Sequence, residues 1–102
     1  MTTADHSPLS HPLDRLAALI AERKQAPPPG SYTAKLFSAG RARIAQKVGE
    51  EGVETVIAAM KDDRAELASE SADLLYHLLV LWADARLPAE EVWTVLEARL
   101  KS

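Results

Sequence analysis

The strongest fold signal in the chain lies in residues 66–84, which read ELASESADLLYHLLVLWAD. On a helical wheel of about 3.6 residues per turn, the polar residues of this segment fall in one narrow stripe with apolar residues on both sides. The stripe consists of Glu66, Glu70, Asp73, His77 and Asp84. A helix that is apolar around most of its circumference is buried on most sides. The segment therefore predicts a central helix, and such a helix in so small a chain suggests oligomerisation.

Boundary signals before this segment predict two further helices. Ser10 is the expected N-cap of the first, and the proline run at residues 27–29 ends it. Ser31 caps a short helix at residues 32–39, which Gly40 terminates. No segment alternates with a period of two, so no strand is predicted.

A long helix is predicted at residues 41–60, antiparallel to the central helix. Asp62 or Asp63 caps the central helix, which is expected to continue to about Arg86. Pro88 is expected at the first position of a last helix. The fold class is therefore all-α, a bundle of about five helices whose apolar faces are completed by a second subunit.

Composition limits the class of protein. With 102 residues, the chain fits one domain, which we predict at residues 10–102 after a flexible tail at residues 1–9. The chain has no cysteine, which excludes disulfides and thiolate zinc sites. Its net charge of −3 argues against nucleic-acid binding. The sequence shows neither a signal peptide nor an apolar run long enough for a membrane, so a cytoplasmic protein is expected.

Two acidic clusters are the strongest functional signal. Glu50, Glu51 and Glu54 lie on the third helix, and Glu70 and Asp73 lie on the central helix. Carboxylates three or four residues apart share a helix face, and two facing sets offer the oxygen ligands that Mg²⁺ prefers. An acidic stripe is also typical of a solvated helix face. A metal site is favoured because the dense charges repel each other and an unpaired carboxylate on so apolar a helix is unfavourable.

A basic group precedes the first acidic cluster. Its members are Lys35, Arg41, Arg43 and Lys47, which suit the phosphate groups of a metal-bound substrate, and Lys35, Arg43 and Lys47 are the expected phosphate-binding residues. Ordinary solubilising charge explains them as well, and Lys47 is placed to pair with Glu51 four residues later.

Two other polar residues suggest roles near the acidic clusters. His77 lies one turn after Asp73 and would orient that carboxylate, carry a proton or act as a hydrogen-bonded core histidine, of which the last is the commonest arrangement. Tyr32 begins a helix, where free amide groups receive anions.

Several stretches resemble the phosphoribosyl-ATP pyrophosphohydrolase family, which catalyses the second step of histidine biosynthesis. They are Ser31–Leu36, Gly40, Lys47–Glu51 with Glu54, and Ala72–Val80. The resemblance covers residues 9–101 and extends to the all-α NTP pyrophosphatase superfamily, which includes MazG-type enzymes. It implies the MazG-like fold completed by dimerisation. The chain resembles the monofunctional form of the enzyme, which lacks the cyclohydrolase segment for the following step.

The resemblance also implies an activity and a cofactor. The expected reaction cleaves phosphoribosyl-ATP to phosphoribosyl-AMP and pyrophosphate in a cytoplasmic homodimer, with Mg²⁺ or a substituting Mn²⁺. The expected metal ligands are Glu51, Glu54, Glu70 and Asp73. Glu50 is the remaining acid, as a ligand or as the base that positions water, and Glu54 is the other candidate base.

Two competing functions remain open from the sequence. A MazG-type house-cleaning enzyme would use the same chemistry on nucleoside triphosphates. A non-catalytic helical interaction module would leave the acidic residues merely solvated.

Overall fold

Five helices make up the computed structural model, which describes residues 11–101. They are α1 (Pro12–Gln25), α2 (Tyr32–Ala39), α3 (Arg41–Met60), α4 (Arg64–Asp84) and α5 (Ala89–Leu100). No strand occurs in this part of the chain, which confirms the all-α class. The tail expected at residues 1–9 lies outside the described residues.

The junction of α2 and α3 follows the predicted boundaries. The Ser31 side chain accepts a hydrogen bond from the Ala34 amide at 3.1 Å. Gly40 has a φ of 97° and a ψ of 173°, a conformation that is essentially restricted to glycine. This single residue therefore ends α2 and starts α3.

The caps of α1 and α4 refine the predictions. The N-cap of α1 is His11, whose Nδ1 accepts from the Leu13 amide at 3.0 Å, so the expected cap at Ser10 was wrong by one residue. Asp63, and not Asp62, caps α4 by accepting from the Glu66 amide at 3.0 Å.

The end of α4 falls two residues before the predicted Arg86. Arg86 takes a left-handed φ of 59°, and the Leu87 amide bonds to the Trp82 carbonyl at 2.9 Å, the hydrogen bond of a Schellman motif. Pro88 is the N-cap of α5 rather than its first helical residue.

Helices α3 and α4 form the antiparallel pair that was predicted. Arg41, at the start of α3, forms an ion pair with Asp84, at the end of α4. The core lies where α1 and α2 cover this pair. Its buried apolar side chains are Ile20, Leu36, Ile44, Leu79 and Val80.

Much apolar surface stays uncovered in the single chain. Helix α5 has no buried residue, and its Trp93 meets Trp82 of α4 edge to face, with ring centroids 5.8 Å apart. The other large exposed side chains concentrate on α3 and α5, as Val53, Val56, Ile57, Met60, Val95, Leu96 and Leu100. Within residues 11–101, no helix has the length and apolar character to span a membrane.

Candidate metal centre

Three carboxylates from two helices converge at the middle of the α3–α4 pair. Glu51 of α3 and Glu70 and Asp73 of α4 each offer one oxygen, and these oxygens lie within 4.8 Å of one another. Glu70 and Asp73 share a face because they are three residues apart. The antiparallel packing then brings Glu51 opposite them. The two predicted acidic clusters do meet, although only through these three side chains.

The surroundings of the three carboxylates favour a bound cation. Glu51 is only 9% exposed, as its position at the edge of the apolar face predicted, whereas Asp73 is exposed. The pKa of Glu70 is raised by desolvation and then by the charges of Glu54, Asp73, Glu51 and Glu66. A divalent cation would relieve this repulsion, and an all-oxygen ligand set suits Mg²⁺ or Mn²⁺. The residues present therefore fit the expected metal.

Glu54, the fourth predicted ligand, is not a member of this group of three. It is exposed on α3, one turn beyond Glu51. Among the neighbouring charges that raise the pKa of Glu70, that of Glu54 has the largest effect, after desolvation. The structure therefore brings three predicted ligands together and leaves Glu54 at their edge.

Glu50 has a different environment, because it lies on the basic side of α3, the side that carries Arg43 and Lys47. Its carboxylate lies 3.3 Å from the Lys47 ammonium and 3.6 Å from the Arg43 guanidinium, and it accepts a hydrogen bond from Gln46 at 3.0 Å. The hydrogen bond of Lys47 is the largest cause that lowers the pKa of Glu50. Gln46 was not predicted to take part, although its spacing of four residues from Glu50 allows this contact on one helix face.

Lys47 connects the basic side to the carboxylate group. Its ammonium lies 3.3 Å from Glu50 and 3.5 Å from Glu51, so the predicted pairing with Glu51 is confirmed. Desolvation acts to lower the pKa of Lys47, but Glu50, Tyr32 and Glu51 together outweigh it, and the pKa is raised. Lys35 is exposed on α2 and makes no ion pair with any residue that the structure describes.

His77 is a hydrogen-bonded core histidine, the commonest of the arrangements considered. It is 5% exposed, and its Nδ1 lies 2.7 Å from the main-chain oxygen of Asp73. Because a carbonyl oxygen only accepts, Nδ1 carries the hydrogen. In neutral imidazole, Nε2 then accepts from the Tyr32 hydroxyl, 3.0 Å away. His77 thus holds the main chain of Asp73 and not its carboxylate.

A second bond between α2 and α4 lies next to this one. The Thr33 and Tyr76 hydroxyls form a short hydrogen bond, and the rings of Tyr32 and Tyr76 stack with centroids 6.1 Å apart. Each helix therefore contributes a tyrosine that bonds to the other helix. These bonds fix the start of α2 against α4, one turn from Asp73.

Known proteins with similar sequences point to one family. A family model described as phosphoribosyl-ATP pyrophosphohydrolase matches residues 13–100. Over 87 residues the chain is 64% identical to the phosphoribosyl-ATP pyrophosphatase of Azospirillum brasilense, an alignment that covers 85% of this chain and 78% of that protein. It is also 58% identical over 85 residues to the histidine biosynthesis bifunctional protein HisIE of Escherichia coli, covering 83% of this chain and 40% of that longer protein.

Proposed function

Because this chain belongs to the phosphoribosyl-ATP pyrophosphohydrolase family, we propose that it hydrolyses phosphoribosyl-ATP to phosphoribosyl-AMP and pyrophosphate in histidine biosynthesis, with Mg²⁺ as cofactor. The observation that carries the proposal is the convergence of Glu51, Glu70 and Asp73 between α3 and α4. Relatives that share most of this chain are named for the pyrophosphatase activity, which supports the substrate and the bond that is broken.

The acidic residues would act as metal ligands and as a base, and Glu54 is a candidate for both roles. Glu51, Glu70 and Asp73 would hold the cation, with Glu54 as a further ligand at their edge. When bound, Mg²⁺ supplies charge neutralisation at the triphosphate and at the leaving pyrophosphate.

Glu54 is the better candidate for the base that accepts the proton of the attacking water. Within residues 11–101, no ion pair engages its carboxylate. Glu50 is bonded to Lys47 and Gln46, and its lowered pKa makes it a weaker proton acceptor. In the reaction, water forms a new bond to phosphorus, the phosphoanhydride bond breaks and Glu54 takes the proton.

The basic residues would hold phosphate oxygens. Arg43 and Lys47 already lie against Glu50, and an incoming triphosphate would compete with that carboxylate for them. Lys35 is exposed and free to add a third positive charge from α2.

The first test is pyrophosphate release from phosphoribosyl-ATP with Mg²⁺, with Mn²⁺ and with a chelator. Glu54→Gln should lower turnover at least about 100-fold, the lower end of what a general base contributes, while the helical content stays unchanged because Glu54 is exposed. Glu97→Gln, at an exposed position of α5, is the matched control and should remain active. Full turnover by Glu54→Gln would contradict this assignment.

The same assay separates the competing functions. Faster turnover of nucleoside triphosphates than of phosphoribosyl-ATP would favour a MazG-type house-cleaning enzyme. Calorimetry that detected no Mg²⁺ or Mn²⁺ binding, with or without substrate, would favour a non-catalytic helical module.

A cytoplasmic homodimer completes the proposal. Seven large apolar side chains of α3 and α5 are exposed in the single chain, exposed apolar patches mark protein–protein interfaces, and a second copy would cover them. Sedimentation analysis should give twice the mass of the chain, and fractionation of cells should recover the protein with cytoplasmic markers.

A further inference from the structure

The main-chain carbonyls of all three clustered acids accept hydrogen bonds from side chains. The Thr55 hydroxyl lies 2.8 Å from the carbonyl oxygen of Glu51 and 3.3 Å from that of Glu70. His77 Nδ1 donates to the carbonyl oxygen of Asp73 at 2.7 Å. Two side chains thus hold the backbone beneath every member of the carboxylate group.

Thr55 differs from His77 because its hydroxyl reaches the main-chain carbonyls of clustered acids on two helices. It lies one turn after Glu51 on α3, and a threonine bond to the carbonyl four residues earlier is common within helices. The approach to the Glu70 carbonyl is different, because it crosses from α3 to α4. A hydroxyl has one hydrogen to donate, so the two carbonyls share it and their separation is constrained.

This connection lies next to carboxylates of like charge. The carboxylates of Glu51, Glu70 and Asp73 converge within 4.8 Å, and like charges at such a distance repel. A donor between the two main chains opposes that repulsion at the level of the ligands. It also acts before any cation is bound.

We propose that Thr55 is a positioning residue of the metal centre, which holds the main chains of Glu51 and Glu70 at the spacing that their carboxylates need to bind one cation. The inference rests on the proposed function, since it assumes that these carboxylates bind a divalent metal. Residues that orient metal ligands without touching the metal typically change affinity by about 10- to 100-fold when they are replaced. For Thr55 we expect a loss of metal affinity of about tenfold, the lower end of this range, because Thr55 acts on the ligands through their main chain.

The chain offers a matched control for a purely helical role. Thr94 of α5 donates to the carbonyl of Glu90 at 2.9 Å, the same bond to the fourth preceding residue. Within residues 11–101, the Thr94 hydroxyl has no second acceptor, and α5 carries none of the clustered acids. Thr94→Val therefore removes the local bond alone, whereas Thr55→Val removes the local bond and the connection to α4.

The test is calorimetric titration of the full chain with Mn²⁺, together with thermal unfolding in chelator. Thr55→Val should weaken Mn²⁺ binding about tenfold, Thr55→Ser should restore it because serine keeps the hydroxyl, and Thr94→Val should bind as the wild type does. Excess Mg²⁺ should return the turnover of Thr55→Val towards the wild-type value, since the residue acts through metal binding.

Equal Mn²⁺ affinity of the wild type and Thr55→Val would overturn the role of Thr55 and leave the proposed function standing. An equal loss of affinity in Thr94→Val would also overturn it, because a general effect on helices would then suffice. A wild-type protein that bound no Mn²⁺ with or without substrate would instead contradict the proposed function itself.

Discussion

Individual residues of the site were predictable where one helix decides their environment. Glu51 neighbours Ile44 on the wheel of α3, and both are buried in the structure. The role of Thr55 was not predictable in this way, because its second acceptor belongs to α4. Which residues meet across two helices depends on their relative register, and that register is a property of the packed core.

Tyr76 should make the stability of the protein sensitive to alkaline pH. Its pKa is raised by burial, although the hydrogen bond to Thr33 acts in the opposite direction. Tyrosine in the unfolded chain loses its proton at about pH 10, whereas the folded protein keeps it to higher pH. The folded state then binds more protons, so the free energy of unfolding falls as pH rises through this range.

Denaturant unfolding as a function of pH checks this expectation with Tyr76→Phe. The variant should be about 1 kcal/mol less stable near neutral pH, because Thr33 loses its partner. Its stability should then fall less steeply than that of the wild type above about pH 10. Parallel pH curves for the two proteins would show that Tyr76 is not the group responsible.

Among the elements, α2 and α3 were predictable because their boundaries use residues with few alternatives. Ser31 and Gly40 are strong cap signals, and both act as expected. The end of α4 was missed because Arg86 occupies the left-handed position that glycine usually takes. The start of α1 was missed because a histidine ring accepts the capping bond as well as a hydroxyl does.

The cap of α4 gives a test at this scale. Asp63→Ala should lower the free energy of unfolding by about 1 kcal/mol, because the Glu66 amide loses its acceptor. Asp63→Asn keeps an acceptor and should lose far less. Asp62→Gly is the comparison at the neighbouring position. Because Asp62 has a φ of 59°, which suits glycine, this change should hardly alter the free energy of unfolding. A loss at Asp62→Gly as large as that at Asp63→Ala would contradict this assignment of the cap.

For the whole molecule, the sequence predicted an oligomer from the apolar circumference of α4. In the structure Leu79 and Val80 of α4 are buried in the core, whereas Leu75 is 43% exposed, and most of the other large exposed apolar side chains lie on α3 and α5. The need for a second subunit therefore stays a prediction. The exposed apolar surface that a second subunit could cover includes α3 and α5 as well as Leu75 of α4.

Ile57→Asp tests whether a second copy covers the apolar face of α3. Ile57 is 49% exposed in the single chain, so the charge disturbs the monomer little but would be buried unpaired in a dimer. We expect a shift from dimer to monomer in sedimentation, together with a melting temperature that no longer rises with protein concentration. Ala21→Asp adds the same charge on the exposed surface of α1 and should stay dimeric. A dimeric Ile57→Asp protein would exclude this face from the interface.

The contact of α4 and α5 can be followed by tryptophan fluorescence. The chain contains two tryptophans, and both belong to the edge-to-face pair of Trp82 and Trp93. The tryptophan fluorescence of the molecule, excited selectively, therefore comes from this one pair and reports whether α5 is packed against α4. Since α5 buries no residue, fluorescence should change at a lower denaturant concentration than circular dichroism, and any partner that clamps α5 should bring the two transitions together.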